Sequence, residues 1–205
     1  MKIDPKIEKS NDIYKLMIRT IVPRPIAWVS TVSAEGVRNV APFSFFTAIT
    51  VDPPTVCFSP ARKPGGDRKD TLANVEETGE FVVNIVTEDL AQKMNDTATD
   101  YPADVDEFER AGLTAVASEI VTPPRIQESP VHMECKLYKT IPIGNSGGIL
   151  VIGEVVMFHV DQRVIADGKV DPGLLNAIGR LGGLEYARIS DRFTMTRKRF
   201  REDAS

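Results

Sequence analysis

Short apolar runs cut by turn residues fill the first sixty positions, and their alternation is of strand type. Arg24 to Ser33 carries Ile26, Trp28, Val29 and Val32 with few helix formers, which predicts a strand. Ala34-Glu35-Gly36 forms a hairpin turn, Gly36 supplying a positive φ. Val37 to Val51 returns as one strand, bent near Pro42, because proline has no N–H for a ladder. Asp52-Pro53-Pro54 turns the chain again, and Thr55 to Ser59 is the next strand.

Helical signals are fewer. Asp12 to Arg19 reads as a short helix that Pro23 and Pro25 soon end. Asp67 to Thr78 has Leu72 and Val75 three apart, with Gly79 as the stop. Glu80 to Val86 is a strand, and Thr87 caps a short helix over Glu88 to Asn95. Asp96 to Asp106 is an acidic loop, Phe108 to Ala111 one helical turn ending at Gly112, and Leu113 to Val121 a weak strand interrupted by Pro123-Pro124.

The clearest alternation follows. Over Val131 to Ile143, Val131, Met133, Cys135 and Leu137 point one way, and His132, Glu134, Lys136 and Tyr138 the other. Gly144 to Gly148 loops into a long strand, Ile149 to Val160, and Asp167-Gly168 is a tight turn. Leu174 to Ile178 reads as helix and Phe193 to Arg197 as a closing strand, with a frayed tail after Arg199. The sum is one mainly β domain, residues 1–205, with a few helices and a closed or nearly closed barrel. Strands and helices do not alternate in register, which argues against a doubly wound parallel sheet.

Composition narrows the class. The chain has 205 residues, 42% hydrophobic and 26% charged, enough for a core without staples. A net charge of −4 gives no global basic field for nucleic acid or an anionic membrane. No apolar run reaches the roughly 18 residues of a membrane span. Cys57 and Cys135 lie in apolar runs and read as buried thiols of a reducing compartment. The charged start, MKIDPKIEKSND, has no signal-like apolar stretch, so the expected location is the cytoplasm.

Two segments carry candidate chemistry. Asn39, Pro42 and Ser44 stand among Phe43, Phe45 and Phe46 where core is expected. Polar groups there need partners, which a flat ligand both polar and aromatic would supply. The alternative is a bulged core strand satisfied by backbone. The second segment runs from Ser59 to Thr71. It crosses Gly65-Gly66 into a helix and holds Arg62, Lys63, Arg68 and Lys69 beside two hydroxyls. A helix N-terminus with cations suits a phosphate, although P-loop spacing is missing; the alternative is a solvated basic loop.

Side-chain catalysts are scarce. His132 and His159 are the only histidines, without metal-ligand spacing, and His132 reads as a surface strand residue. No Gly-x-Ser-x-Gly elbow is present. Gly144 to Gly148 reads as a flexible hairpin, and Arg180 to Tyr186 as either a lid or a plain turn. A bound cofactor is the natural source of chemistry in such a chain.

Taken in order, PRPIAWVST, Asn39-Val-Ala-Pro-Phe-Ser44, Asp52-Pro-Pro54, Arg68-Lys-Asp-Thr71 and Glu80-Phe-Val-Val-Asn84 resemble the flavin reductase-like proteins with an FMN-binding split barrel. Ser129-Pro-Val-His-Met-Glu134, Ile152-Gly-Glu154 and Gly179-Arg-Leu-Gly-Gly183 extend the likeness over roughly residues 15 to 195. The longer members, flavoredoxin among them, are closest in pattern. The resemblance implies a six-stranded Greek-key split barrel that dimerises, with FMN near the dimer interface and NADH or NADPH as reductant. It implies that Asn39, Ala41, Pro42, Phe43, Ser44 and Phe45 line the isoalloxazine. Ser59, Arg68, Lys69 and Thr71 would hold the phosphate, Trp28 and Asn84 would lie near the ring or ribityl chain, and Arg180 to Tyr186 would cover the site. A monooxygenase or an electron-transfer protein is the implied partner.

One departure stands out. Shorter members carry Gly-Asp-His just before the Gly-Glu-Val strand, where this chain has Asn145-Ser-Gly-Gly148. Two readings therefore stay open beside a split-barrel module for another ligand such as haem. One is an NAD(P)H:flavin oxidoreductase. The other is a flavoredoxin-type carrier whose acidic segment, Asp96 to Glu109, meets a basic partner.

Overall fold

The computed structural model describes residues 1–60, 68–145 and 147–197. Arg62, Lys63 and Gly65-Gly66 of the expected phosphate loop, Ser146 and the expected frayed tail lie outside the described residues.

The chain opens with helix α1 (Ser10–Thr20), then strands β1 (Ala27–Val32), β2 (Arg38–Phe43), β3 (Phe46–Val51) and β4 (Pro54–Phe58). Helix α2 (Asp70–Thr78) ends at Gly79, the expected stop, which closes the helix as a left-handed cap with a φ of 72°. Strand β5 (Glu80–Ile85) leads through a 3-10 turn into α3 (Ala91–Asp96), and α4 (Glu107–Arg110) follows. After a small ribbon, β6 (Ala115–Val116) with β7 (Arg125–Ile126), come the long strands β8 (Val131–Ile143) and β9 (Gly148–Val160). The C-terminal part holds the hairpin β10 (Ile165–Ala166) and β11 (Lys169–Val170), helix α5 (Pro172–Leu175), and the hairpin β12 (Ile178–Arg180) and β13 (Tyr186–Arg188).

Seven strands make one sheet in the order β2-β1-β5-β8-β9-β4-β3, with every pairing antiparallel. The sequence reading of Val37 to Val51 as one bent strand is corrected. The chain leaves β2 at Ser44-Phe45 and enters β3 at the opposite edge of the sheet. Pro42 belongs to an edge strand, where its missing N–H disrupts no central ladder. The sheet thus has seven strands rather than the implied six, with its ends joined by chain instead of a ladder.

The two ends nevertheless share a core. Phe43 of β2 packs on Phe58 of β4 with centroids 5.1 Å apart, and Phe58 meets Phe81 of β5 edge-on at 5.4 Å. Ala27, Val29, Val151, Val155 and Cys135 join that cluster, and α2 adds Leu72 and Val75. Strand periodicity divides β1 between two cores. Ile26 and Trp28 face the other way, packing with Val40, Leu90, Met94, Phe108 and Ile126 under α3, α4 and β7.

Other expectations are adjusted by packing. The polar face assigned to β8 is polar and exposed only at Lys136 and Tyr138. His132 and Glu134 are buried, so His132 is not a surface residue. Thr87 stands at the N-cap position, but its hydroxyl goes to the Asp89 carboxylate instead of a backbone N–H. Only Ala115–Val116 of the weak strand is paired. Helix α5 starts earlier than expected because Asp171 caps the N–H groups of Gly173 and Leu174 with Pro172 in the first turn. Phe193 and Met195 are exposed and form no strand. Cys135 is buried, Cys57 half-buried, and neither is in a disulfide. Among the described residues no helix is long and apolar enough to cross a membrane.

Candidate functional site

The segment that leaves β2 forms one wall of a groove. Two cavities of about 240 and 210 Å³ adjoin there and share Pro42 and Ala98. The first lies between α1, the end of α3 and the β12–β13 hairpin, with Tyr14, Arg24, Ser44, Asn95, Arg180 and Tyr186 on its walls. The second lies between β2 and the N-terminus of α2, with Asn39, Ala41, Phe43, Lys69 and Thr71 on its walls. Asp70, Asp100 and Glu107 also border it. The Lys69 side chain does not cap the start of α2, and the N-terminal turn of that helix lies beside the cavity.

The structure therefore gathers Asn39, Ala41, Pro42, Phe43, Lys69 and Thr71 around one cavity, and Pro42, Ser44, Arg180 and Tyr186 around its neighbour. The remaining candidates lie elsewhere. Trp28 and Asn84 are fully buried and act as supports. Trp28 donates its indole N–H to Thr97 at 2.9 Å. Asn84 donates to the Trp28 carbonyl at 2.9 Å and accepts the Ile126 N–H at 3.0 Å. Ser59 donates to the Ile149 carbonyl at 2.8 Å. Arg68 turns to Glu76 at 2.6 Å. Phe45 is partly exposed, with the Arg24 guanidinium 5.9 Å from its ring centroid.

Asn39 finds its partners inside the protein. Its amide donates to Glu107, and its carbonyl accepts the Thr71 hydroxyl at 2.9 Å. Thr71 and Asn39 thus tie α2 to β2. The buried polar group that suggested a ligand is satisfied by residues far away in sequence. Glu107 also accepts the Val40 N–H at 2.7 Å, and its carboxyl is pushed up to about 7 by burial, against the pull of these two donors.

Two groups at the groove had no clear signal in the sequence. Arg24 is buried, and its guanidinium donates to the carbonyls of Ile18 at 2.7 Å, Ile21 at 2.8 Å and Leu181 at 2.9 Å, and to the Ser44 hydroxyl at 3.3 Å. One side chain thereby fastens α1, the β2–β3 corner and the β12–β13 hairpin. Burial and the neighbouring Arg180 charge lower its pKa. Glu107 was hidden in an acidic stretch that reads as solvated. In fact Asp100 pairs with Lys69, Asp106 pairs with Arg38 at 2.5 Å and caps α4, and Glu107 is buried. Neither histidine borders the groove; both are on β8–β9, where His159 bonds Glu134 at 2.7 Å.

A model of the flavin reductase like domain matches residues 18–184, from the end of α1 through β12. The chain belongs to the flavin reductase-like family. It is 41% identical over 201 residues to an uncharacterized protein of Halalkalibacterium halodurans, covering 96% of each. The structure is similar to nitrilotriacetate monooxygenase component B from Bacillus cereus. That likeness has a TM-score of 0.91 and 39% identity, covering 95% of this chain and 98% of that one. It is similar also to the 2-nitrobenzoate 2-nitroreductase of Pseudomonas fluorescens, with a TM-score of 0.88, 33% identity and full coverage of both chains. Membership implies a flavin cofactor and flavin-related redox function.

Proposed function

We propose that this protein binds FMN along the groove and acts as an NAD(P)H-dependent flavin oxidoreductase. It would work as a cytoplasmic homodimer that passes electrons to free flavin or to a monooxygenase partner. The observation that carries the reading is the convergence of Asn39–Ser44, Lys69–Thr71 and Arg180–Tyr186 on two neighbouring cavities that share Pro42 and Ala98. The curl that packs Phe43 on Phe58 supports a split barrel. The monooxygenase partner rests on the similarity to a monooxygenase component B.

The residues fit the cofactor unevenly. Ala41, Pro42 and Phe43 offer an apolar edge and backbone groups for a flat ring. The N-terminal turn of α2, with Lys69 and Thr71, suits the phosphate. Ser59 and Arg68 would stand at the approach, and Trp28 and Asn84 would brace β1 behind the ring. Arg180 and Tyr186, stacked with the guanidinium 4.4 Å from the ring centroid, would cover the opening. Bound FMN supplies two-electron redox chemistry. The chain's part is to orient it, keep water away and hold the charge of its phosphate.

Dimerisation is supported by apolar surface without a partner. Helix α1 buries none of its residues, and Tyr14, Leu16 and Met17 are exposed beside Ile21 and Val22. At the far edge, β3 exposes Ile49 and Val51. Such patches suit a second copy of the chain.

An anaerobic absorbance titration of the FMN-loaded protein with NADH and NADPH tests the reading. Rapid bleaching of the oxidised flavin band is expected. A protein that binds no FMN would overturn it. Tight FMN binding with bleaching only by dithionite would instead establish the electron-carrier reading. That second reading is favoured by one observation: no histidine borders the groove to position a nicotinamide.

A further inference from the structure

The cavity between α1 and the β12–β13 hairpin has a chemistry of its own. Two guanidinium groups border it, Arg24 and Arg180. Their partners among the described residues are carbonyls, one hydroxyl and aromatic rings; none is a carboxylate. Two like charges near one another in a partly dry pocket raise each other's energy unless an anion joins them. The lowered pKa of Arg24, caused by burial and by the Arg180 charge, is the mark of that conflict.

The two cations have different freedom. Arg24 uses four N–H donors on Ile18, Ile21, Leu181 and Ser44, so it is a fixed charge in the wall. Arg180 spends one nitrogen on the Gly183 carbonyl and lies over the Tyr186 ring, which leaves planar donors for a ligand. Tyr14, Ile18, Ile26 and Pro42 supply apolar groups beside them in a lining that is otherwise mostly polar. The volume of about 240 Å³ falls below the roughly 300–1,000 Å³ of drug-sized sites, so it suits a single ring.

We propose that this cavity is a subsite for a small aromatic carboxylate, with Arg180 as the carboxylate donor, Arg24 as the fixed charge and Tyr14 and Tyr186 against the ring. Because it shares Pro42 and Ala98 with the second cavity, its occupant would lie beside the cofactor. The site next to a flavin rests on the proposed function; the binding of the carboxylate does not.

Calorimetric titration of the full chain, with FMN loading read separately by absorbance, tests this. Benzoate is the probe, benzamide its neutral counterpart and inorganic phosphate the competing anion. Benzoate is expected to bind about tenfold or more tightly than benzamide, from the loss of one charged hydrogen-bonded pair. Arg180→Gln should weaken benzoate by a similar factor, and Arg180→Lys should restore part of it. Tyr14→Ala should also weaken it; because Tyr14 belongs to the apolar face offered to a second copy, the oligomeric state of the variant is measured beside its affinity. Equal binding of benzoate and benzamide, or an unchanged affinity in Arg180→Gln, would overturn the proposal. So would displacement of benzoate by phosphate together with competition by FMN, which would make the cavity the phosphate seat. FMN binding without benzoate binding sinks only this subsite. Benzoate binding without FMN sinks only the flavin reading.

Discussion

Glu107 accepts the backbone N–H of Val40 at 2.7 Å, so a buried carboxylate on α4 holds the edge strand that walls the groove. Its carboxyl titrates at about 7, raised from 4.5 mainly by burial. Between those values the folded protein binds a proton that the unfolded chain has released. The stability linked to this group is therefore full below about pH 4.5 and lost as pH rises through about 7. Glu107→Gln should remove that dependence. Urea unfolding at about pH 5 and about pH 8 should show the native protein losing up to about 3 kcal/mol more than the variant. Equal losses would refute the assignment.

Asn84 satisfies three buried groups on two strands: the Trp28 carbonyl and the Ser30 hydroxyl (at 3.2 Å) of β1, and the Ile126 N–H of β7. Asn84→Ala would leave the buried Ile126 N–H without its acceptor, while the Ser30 hydroxyl keeps the Pro124 carbonyl at 2.6 Å. A cost of about 2–4 kcal/mol is expected in urea unfolding, with faster hydrogen exchange at the Ile126 amide. Unchanged exchange at Ile126 would show that the link to β7 is not made through Asn84.

What was legible in the sequence follows from locality. Strands β8 and β9 could be drawn to within a residue, because long alternation flanks a Gly-rich turn. The corner at Ser44-Phe45 could not, because an apolar run does not say which neighbour each half will pair with. The groove-lining residues of β2, α2 and the β12–β13 hairpin were legible as ordered motifs. The supports were not. Asn39 was correctly marked as needing partners, but Glu107 lies 68 positions away and Thr71 lies 32 away. Arg24, between two prolines, reads as a plain extended residue until the fold brings Ile18, Ser44 and Leu181 to it. His132 and Glu134 followed the strand alternation, yet residues 117–127 fold over that face and bury them.

Gly153 lies where β9 passes the Phe81 ring. A Cβ there would meet Phe81 Cζ at 2.3 Å and Cε1 at 2.7 Å. Phe81 is fully buried and packed edge-on against Phe58, so it has little room to yield. Gly153→Ala should cost about 1–3 kcal/mol by overpacking. Phe81→Leu in the same chain should recover part of that, and urea unfolding of both singles and the double variant reads the coupling. Strict additivity would mean the ring is not what the methyl group strikes.

Glu134 is fully buried and accepts the N–H groups of Glu119 at 2.8 Å, Ile120 at 2.7 Å and Val121 at 3.2 Å, with His159 Nε2 at 2.7 Å. Burial alone would push its carboxyl up. The donors from Glu119, Ile120, His159 and Val121 outweigh burial and hold it below 4.5. An acid with a depressed folded pKa stabilises the fold above its unfolded value, and that contribution fades as pH falls through the folded one. The segment 119–121 should therefore loosen first in acid, below about pH 4.5. Hydrogen exchange of the Ile120 and Val121 amides should rise there ahead of the sheet amides. Glu134→Ala, which leaves three N–H groups without an acceptor, should produce the same local opening at neutral pH and cost about 3–5 kcal/mol. Glu134→Gln keeps one acceptor oxygen and loses the ionisation, so its 119–121 amides should exchange at a rate that acid does not change beyond the intrinsic chemistry. If those amides open in step with the whole sheet in every variant, Glu134 is only one more core residue, and the segment has no separate anchor.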